Sequence, residues 1–450
     1  MTRWREFLLR LWGRSRFRLA VVLACVAFMA GVGVGVGVGA DPSSIDDNVH
    51  FGAASCAGGA CHGRTSRQDN RTVWLNEHRI WRAQDYHSRA YKTLLSQDSK
   101  LMAQKLGLAS AHTADICLDC HADNVPKDKR GPEFSLSDGV GCEACHGGSE
   151  NWIKTHDDPG NTHADNIANG LYPSEQPVER AQLCLTCHLG TKDKFATHRI
   201  MGAGHPRLSF ELENFTTNQP PHFSVDADYR ERKGNVEGVQ LWLTGQLQGA
   251  KAFLGVLTSS YYSKGRTPEF SFYDCQSCHH GLDPEDLRWY AERRQQGIEP
   301  GSLRLADHHF RTLQLISQEL SPDKTQPLKT AVDALVVAGQ GDTAGLIVAR
   351  DRLEAVIDEL SADWLGRTVG PTVVRALRKR LIAQAVSRRM VDYGTAEQGL
   401  LSIVTLTEYL GEADQLGSSI DRLFNGLGND ETFRPKTYQQ AAAAVQGAFE

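Results

Sequence analysis

Between Ile116 and Gly148 the chain reads ICLDCHADNVPKDKRGPEFSLSDGVGCEACHGG, and the pattern Cys-x-x-Cys-His occurs in it twice, at Cys117–Cys120–His121 and at Cys142–Cys145–His146. Two thiols with a histidine directly after the second suit covalent attachment of haem. The thiols form thioethers to the vinyl groups, and the imidazole supplies one axial nitrogen to iron. The pattern returns at Cys184, Cys187 and His188 and again at Cys275, Cys278 and His279. A fifth copy, Cys56, Cys61 and His62, has four residues between the thiols, and Gly58 and Gly59 among them let that loop bulge. Of the eleven cysteines, only Cys25 stands outside these pairs.

Zinc and disulfides are the competing uses of paired cysteines. Zinc takes such knuckles in twos, which five pairs do not share evenly, and neither use asks for a histidine after every second cysteine. Five covalently attached haems c are therefore the expected cofactors. The ten paired cysteines are the attachment residues, and His62, His121, His146, His188 and His279 are the proximal metal ligands.

Five irons need ten axial ligands, and the motifs supply half of them. The other twelve histidines of the chain are more than enough to close every iron. The segment TVWLNEHRIWRAQDYHSRAYKTLL, residues 72–95, reads as one helix in which His78 and His87 point to opposite faces. His205 precedes Pro206 and is presented from a stiff loop. His156, His198 and His222 are further candidates, each with an ordinary surface histidine as the competing reading. His308 and His309 are adjacent on a helical pattern, so at most one of them faces a given iron. Met102, Met201 and Met390 are the only methionines past residue 40, so bis-His ligation should dominate.

The first eighteen residues carry six arginines, and an uncharged run from Leu19 to Ala40 follows. This is an export segment. It reads either as a signal peptide cleaved after Val38-Gly39-Ala40 or as a retained inner-membrane anchor through residues 19–40. Without residues 1–40 the chain has 43 basic against 53 acidic residues, a formal charge of −10 in place of −5. An acidic surface disfavours nucleic acid and suits a basic redox partner.

Three regions follow: residues 1–40, a loop-rich pentahaem cytochrome domain over 41–290, and a C-terminal helical domain over 291–450. In the last, helical patterns cover 302–320, 326–339, 343–361, 371–391, 394–413 and 435–449. The fold class expected is mainly α, with haems filling what is otherwise core.

The runs VHFGAASCAGGACHG, WRAQDYHSRAY, ICLDCHADNVP, GVGCEACHGGSENWIKTH, LCLTCHLG and THRIMGAGHPRLSFEL resemble the cytochrome c-554-related multihaem cytochromes over roughly residues 50–290. The resemblance implies a periplasmic helical fold around closely packed haems, with His87, His156, His198, His205 and His222 as distal ligands. The role it implies is electron transfer; the partners expected for such a carrier are other redox proteins, a membrane quinol-oxidising complex among them. The alternative is a multihaem oxidoreductase with one open haem acting on a small nitrogen or sulfur species. A third reading makes the C-terminal helices a docking module.

Overall fold

The computed structural model describes residue 45 and residues 47–66, 73–234, 238–257, 269–282, 284, 287–288, 302–341, 343–387 and 389–450. The export segment expected over residues 1–40 lies outside these. Among the described residues no helix is long and apolar enough to cross a membrane. Residues Asp41–Glu450 form one compact unit. The fold is mainly helical. It has no sheet among the described residues, only isolated bridges between His50 and Arg130 and between Tyr273 and Leu305.

Up to residue 234 the helices are short, and several end on a motif histidine: α1 (Asp115–His121), α2 (Glu143–His146) and α3 (Pro177–His188). Pro177 and Glu179 in its first turn favour the start of α3. The helix α4 (His198–Ala203) begins where the Thr197 side chain accepts from Ile200 N–H, and it stops at Gly204, whose φ is +123°. Helices this short bury little apolar surface. The apolar clusters here are correspondingly small: Leu94, Ala103, Ala111, Leu118 and Ala122 form one, and Ala181, Leu185, Leu212 and Leu241 another.

The single helix expected over residues 72–95 is broken. Glu77–Gln84 is helical, Asp85 is extended, and the chain restarts as a 3-10 turn at Tyr86–Arg89. The Asp85 carboxylate accepts the His87 backbone N–H and so caps the second segment. His78 and His87 therefore do not share a helix.

From residue 238 onward one large apolar core takes over. It begins in α5 (Gly238–Leu257), with Val239, Trp242, Leu247 and Leu254, and continues through α6 (His308–Leu320), α7 (Pro322–Ala338), α8 (Thr343–Trp364), α9 (Pro371–Val386), α10 (Tyr393–Tyr409), α11 (Ala413–Leu427) and α12 (Pro435–Val445). The sequence pattern had no separate helix over Ala413–Leu427, although Leu416, Leu423 and Leu427 give it a buried stripe. On its other side α5 meets α3 and the short helix Leu212–Asn218. One helix thus packs against both the cysteine-rich region and the C-terminal bundle.

Candidate haem sites

Numbered along the chain, sites one to five are those of His62, His121, His146, His188 and His279, and site one follows a single helical turn, Ala53–Cys56. His62 N–H bonds Cys56 O at 3.1 Å, which closes the four-residue bulge between the thiols. A Cβ on Gly63 would sit 2.0 Å from Ala57 O, so the loop returns that closely upon itself. The His62 ring faces that of His156, with centroids 6.1 Å apart and planes at 23°.

The remaining motif rings are each faced in the same way. His121 meets His205 at 6.3 Å and 86°, and His146 meets His222 at 6.4 Å and 85°. His188 meets His87 at 6.1 Å and 88°, and His279 meets His198 at 6.3 Å and 40°. The five partners are the histidines singled out from the sequence. Their pairing was not read there.

These separations test whether iron fits. With about 2.0 Å from metal to imidazole nitrogen and about 1.15 Å from that nitrogen to the ring centre, two axial rings on one metal stand roughly 6.3 Å apart. All five pairs agree. Among the described residues no three His, Cys, Asp or Glu side chains converge as a metal held by protein alone requires. Rings that meet in twos suit a metal whose other four positions come from a macrocycle. The ten motif cysteines are free of disulfides.

Hydrogen bonds at Nδ1 fix several rings and leave Nε2 as the nitrogen available to a metal. His156 Nδ1 is 2.7 Å from Ile153 O, His205 Nδ1 is 2.8 Å from Pro206 O, and His121 Nδ1 is 3.2 Å from Ala90 O. Two rings meet carboxylates instead, His62 with Glu77 at 3.0 Å and His87 with Asp85 at 2.9 Å. Burial pushes His146 down to about 3 and His188 down to about 4, so both are neutral bases at neutral pH, the form that binds metal. Phe210 stacks on His188 at 4.8 Å.

The other histidines are engaged elsewhere. His50 is fully buried, with one ring nitrogen on Asp123 at 2.8 Å and the other on Ile45 O at 3.0 Å. His78 packs on Trp81, and His163 pairs with Glu175. His308 and His309 lie ring on ring at 4.2 Å against Phe253.

Contacts between motifs set which sites adjoin. The Cys56 thiol lies beside that of Cys142, and the Cys120 thiol beside that of Cys187. Cys145 lies near Cys184 and Cys187. A cavity walled by His188, Arg207, Cys275 and His308 joins sites four and five. Glu143, between the cysteines of site three, accepts from Phe51 N–H, Gly52 N–H and Ser149 N–H at 2.8, 2.6 and 2.9 Å. That ties the start of site one to site three. No sequence signal had marked Glu143, since a lone carboxylate inside a motif has no spacing of its own.

Five cysteine pairs, each with a histidine facing a second histidine at iron-spanning distance, is the architecture of a multihaem cytochrome. Residues 55–147 match the cytochrome c554 and c-prime family. No curated protein and no solved structure matches the chain. The cytochrome c554 segment holds the first three motifs together with His87, and it implies c-type haem and electron transfer. The match stops short of sites four and five and of the helical region that follows.

Proposed function

We propose that the protein is a five-haem periplasmic electron carrier in which every iron has two histidine ligands. The pairs are His62 with His156, His121 with His205, His146 with His222, His188 with His87, and His279 with His198. The observation that carries this reading is the ring separation of 6.1–6.4 Å at all five sites. When bound, each haem supplies one iron(III)/iron(II) couple. The chain's part is to hold both axial rings, fix their Nδ1 hydrogen bonds and keep successive attachment points close. An imidazole on each face leaves no ligand position for a small substrate, which favours the carrier over the oxidoreductase.

The order of sites that the contacts favour runs one, three, four, with two and five both beside four. Redox proteins are the partners proposed, a quinol-oxidising membrane complex or a small basic carrier among them. The acidic balance past residue 40 favours such partners over nucleic acid. Export through residues 1–40, with or without retention as an anchor, belongs to the same reading.

Haem quantitation with low-temperature electron paramagnetic resonance of the oxidised protein tests it. Perpendicular axial rings leave two iron π orbitals nearly degenerate and give strongly anisotropic low-spin signals, whereas near-parallel rings give rhombic ones. Ring angles of 85–88° at sites two, three and four and of 23° and 40° at sites one and five forecast three signals of the first kind and two of the second. A stoichiometric high-spin iron would remove the bis-His reading and return the oxidoreductase to the front.

A further inference from the structure

Two of the ten facing rings are bonded to carboxylates, and one of these carboxylates is buried beside the site where the attachment points converge. Asp85 is 3% exposed. One of its oxygens accepts both the backbone N–H and the ring nitrogen of His87, each at 2.9 Å, and the other accepts Gln219 Nε2 at 2.9 Å. Burial opposes its ionisation. Three hydrogen bonds, two from His87 and one from Gln219, converge on the carboxylate and offset that cost.

An imidazole that donates to a buried carboxylate carries more electron density than one that donates to a carbonyl, and it stabilises the more positive oxidation state of the metal it binds. At site two both rings meet neutral oxygens: His121 meets Ala90 O and Thr93 Oγ1, and His205 meets Pro206 O. Site two adjoins site four, where Cys187 Sγ lies 3.8 Å from the Asp119 carbonyl oxygen. The same fold therefore gives adjoining sites different outer partners.

We propose that Asp85 is a potential-setting residue. Acting through His87, it holds the site-four haem at a lower reduction potential than its site-two neighbour, a role that rests on His87 being a ligand there. Glu77 does the same through His62 at site one, at 3.0 Å. Because site four adjoins sites two, three and five, lowering it makes the junction a place electrons cross and do not occupy.

The test is a potentiometric titration of the full-length holoprotein, followed by electron paramagnetic resonance, for wild type, Asp85→Asn and Glu77→Gln. The expected result for Asp85→Asn is that one strongly anisotropic component moves to higher potential while four stay. Its reduction equilibrium should change about tenfold, which for one electron is about 59 mV. Glu77→Gln should move a rhombic component instead, since the site-one rings lie at 23° and the site-four rings at 88°. If Asp85→Asn fails to load five haems, Gln219→Leu gives the opposite sign. It removes a competing donor, strengthens the bond to His87 and should lower the same component. Unchanged midpoints, or five midpoints moving together, in variants with five low-spin irons overturn the role of Asp85 and leave the ligand assignment standing. A high-spin iron in the wild type overturns the ligand assignment itself.

Discussion

Glu143 shows how one side chain holds two sites together. Its carboxylate is 2% exposed and accepts three backbone N–H groups, two of them from the turn that leads into Cys56. Glu143→Ala leaves two buried donors and one half-buried donor without a partner, at about 1–3 kcal/mol for each buried one, so a loss of about 2 kcal/mol or more is expected, together with lowered haem content at site one. Denaturant unfolding and haem quantitation check this, and a loss below about 1 kcal/mol would mean that water replaces the carboxylate. His50 gives a pH dependence. Burial opposes its protonation, but Asp123 and the Ile45 carbonyl outweigh burial and raise its pKa above 6.5. A raised pKa means that the pair stabilises fully below about 6.5 and that this contribution is lost as pH rises through the folded-state value. His50→Gln should flatten that part of the curve of melting temperature against pH between 6 and 9; an unchanged slope would assign it to other groups. The motif residues were legible because their spacing is read directly along the chain. Asp85, Glu77 and Glu143 were not, because a carboxylate that bonds a ring or a turn needs no partner at a set distance along the chain.

At the scale of elements, the sequence pattern anticipated most of the C-terminal helices, with His308–Leu320 and Pro371–Val386 inside the expected spans. It failed where a local side-chain bond overrides periodicity. Residues 72–95 carry helical spacing throughout, yet the Asp85 carboxylate captures His87 N–H and breaks the run. That break places His87 over His188, and Val140 N–H then bonds His87 O at 3.0 Å, which fastens the segment to the approach of site three. The pairing of rings was unreadable for a related reason: each partner comes from a different segment, and only the packed fold decides which segments meet. The joint between α5 and the helix Leu212–Asn218 depends on Gly245, where an added Cβ would lie 2.6 Å from Leu212 Cβ. Gly245→Ala gains about 1 kcal/mol of helix propensity and incurs overpacking of about 1–3 kcal/mol. The clash should win because Leu212 Cβ moves only with its backbone. A fall in melting temperature is expected, with a shift in the site-four signal because Phe210 stacks on His188 two residues before Leu212. A rise in stability would show that the short helix yields freely.

For the whole molecule the question is whether the cytochrome region and the C-terminal helices are separable. The change from cysteine-rich loops to helical periodicity near residue 290 suggests a module that can be removed with the five sites intact. The packing points the other way. On α5, before that boundary, Val239, Leu243, Leu247, Phe253, Leu254, Val256 and Leu257 are buried in the core shared with α6 to α12. At about 1.5–3 kcal/mol for each buried side chain of this size, their burial represents roughly 10–20 kcal/mol of gross transfer free energy that depends on the helices around them. Site five is bound in as well: Gln276 Nε2 donates to Asp430 O at 3.1 Å, and Tyr393 N–H donates to Gln276 Oε1 at 3.0 Å. Across the same joint Asn214 Nδ2 donates to Leu401 O at 3.0 Å and Gln398 Nε2 to Phe210 O at 2.9 Å. A chain ending at residue 300 should therefore aggregate, or accumulate with fewer than five haems, when expressed with the haem-attachment machinery. Haem-to-protein ratio and size-exclusion behaviour read this directly. A soluble, monodisperse product with five haems would mean that the helices are an appended module, and that the apolar face of α5 finds another cover when they are gone.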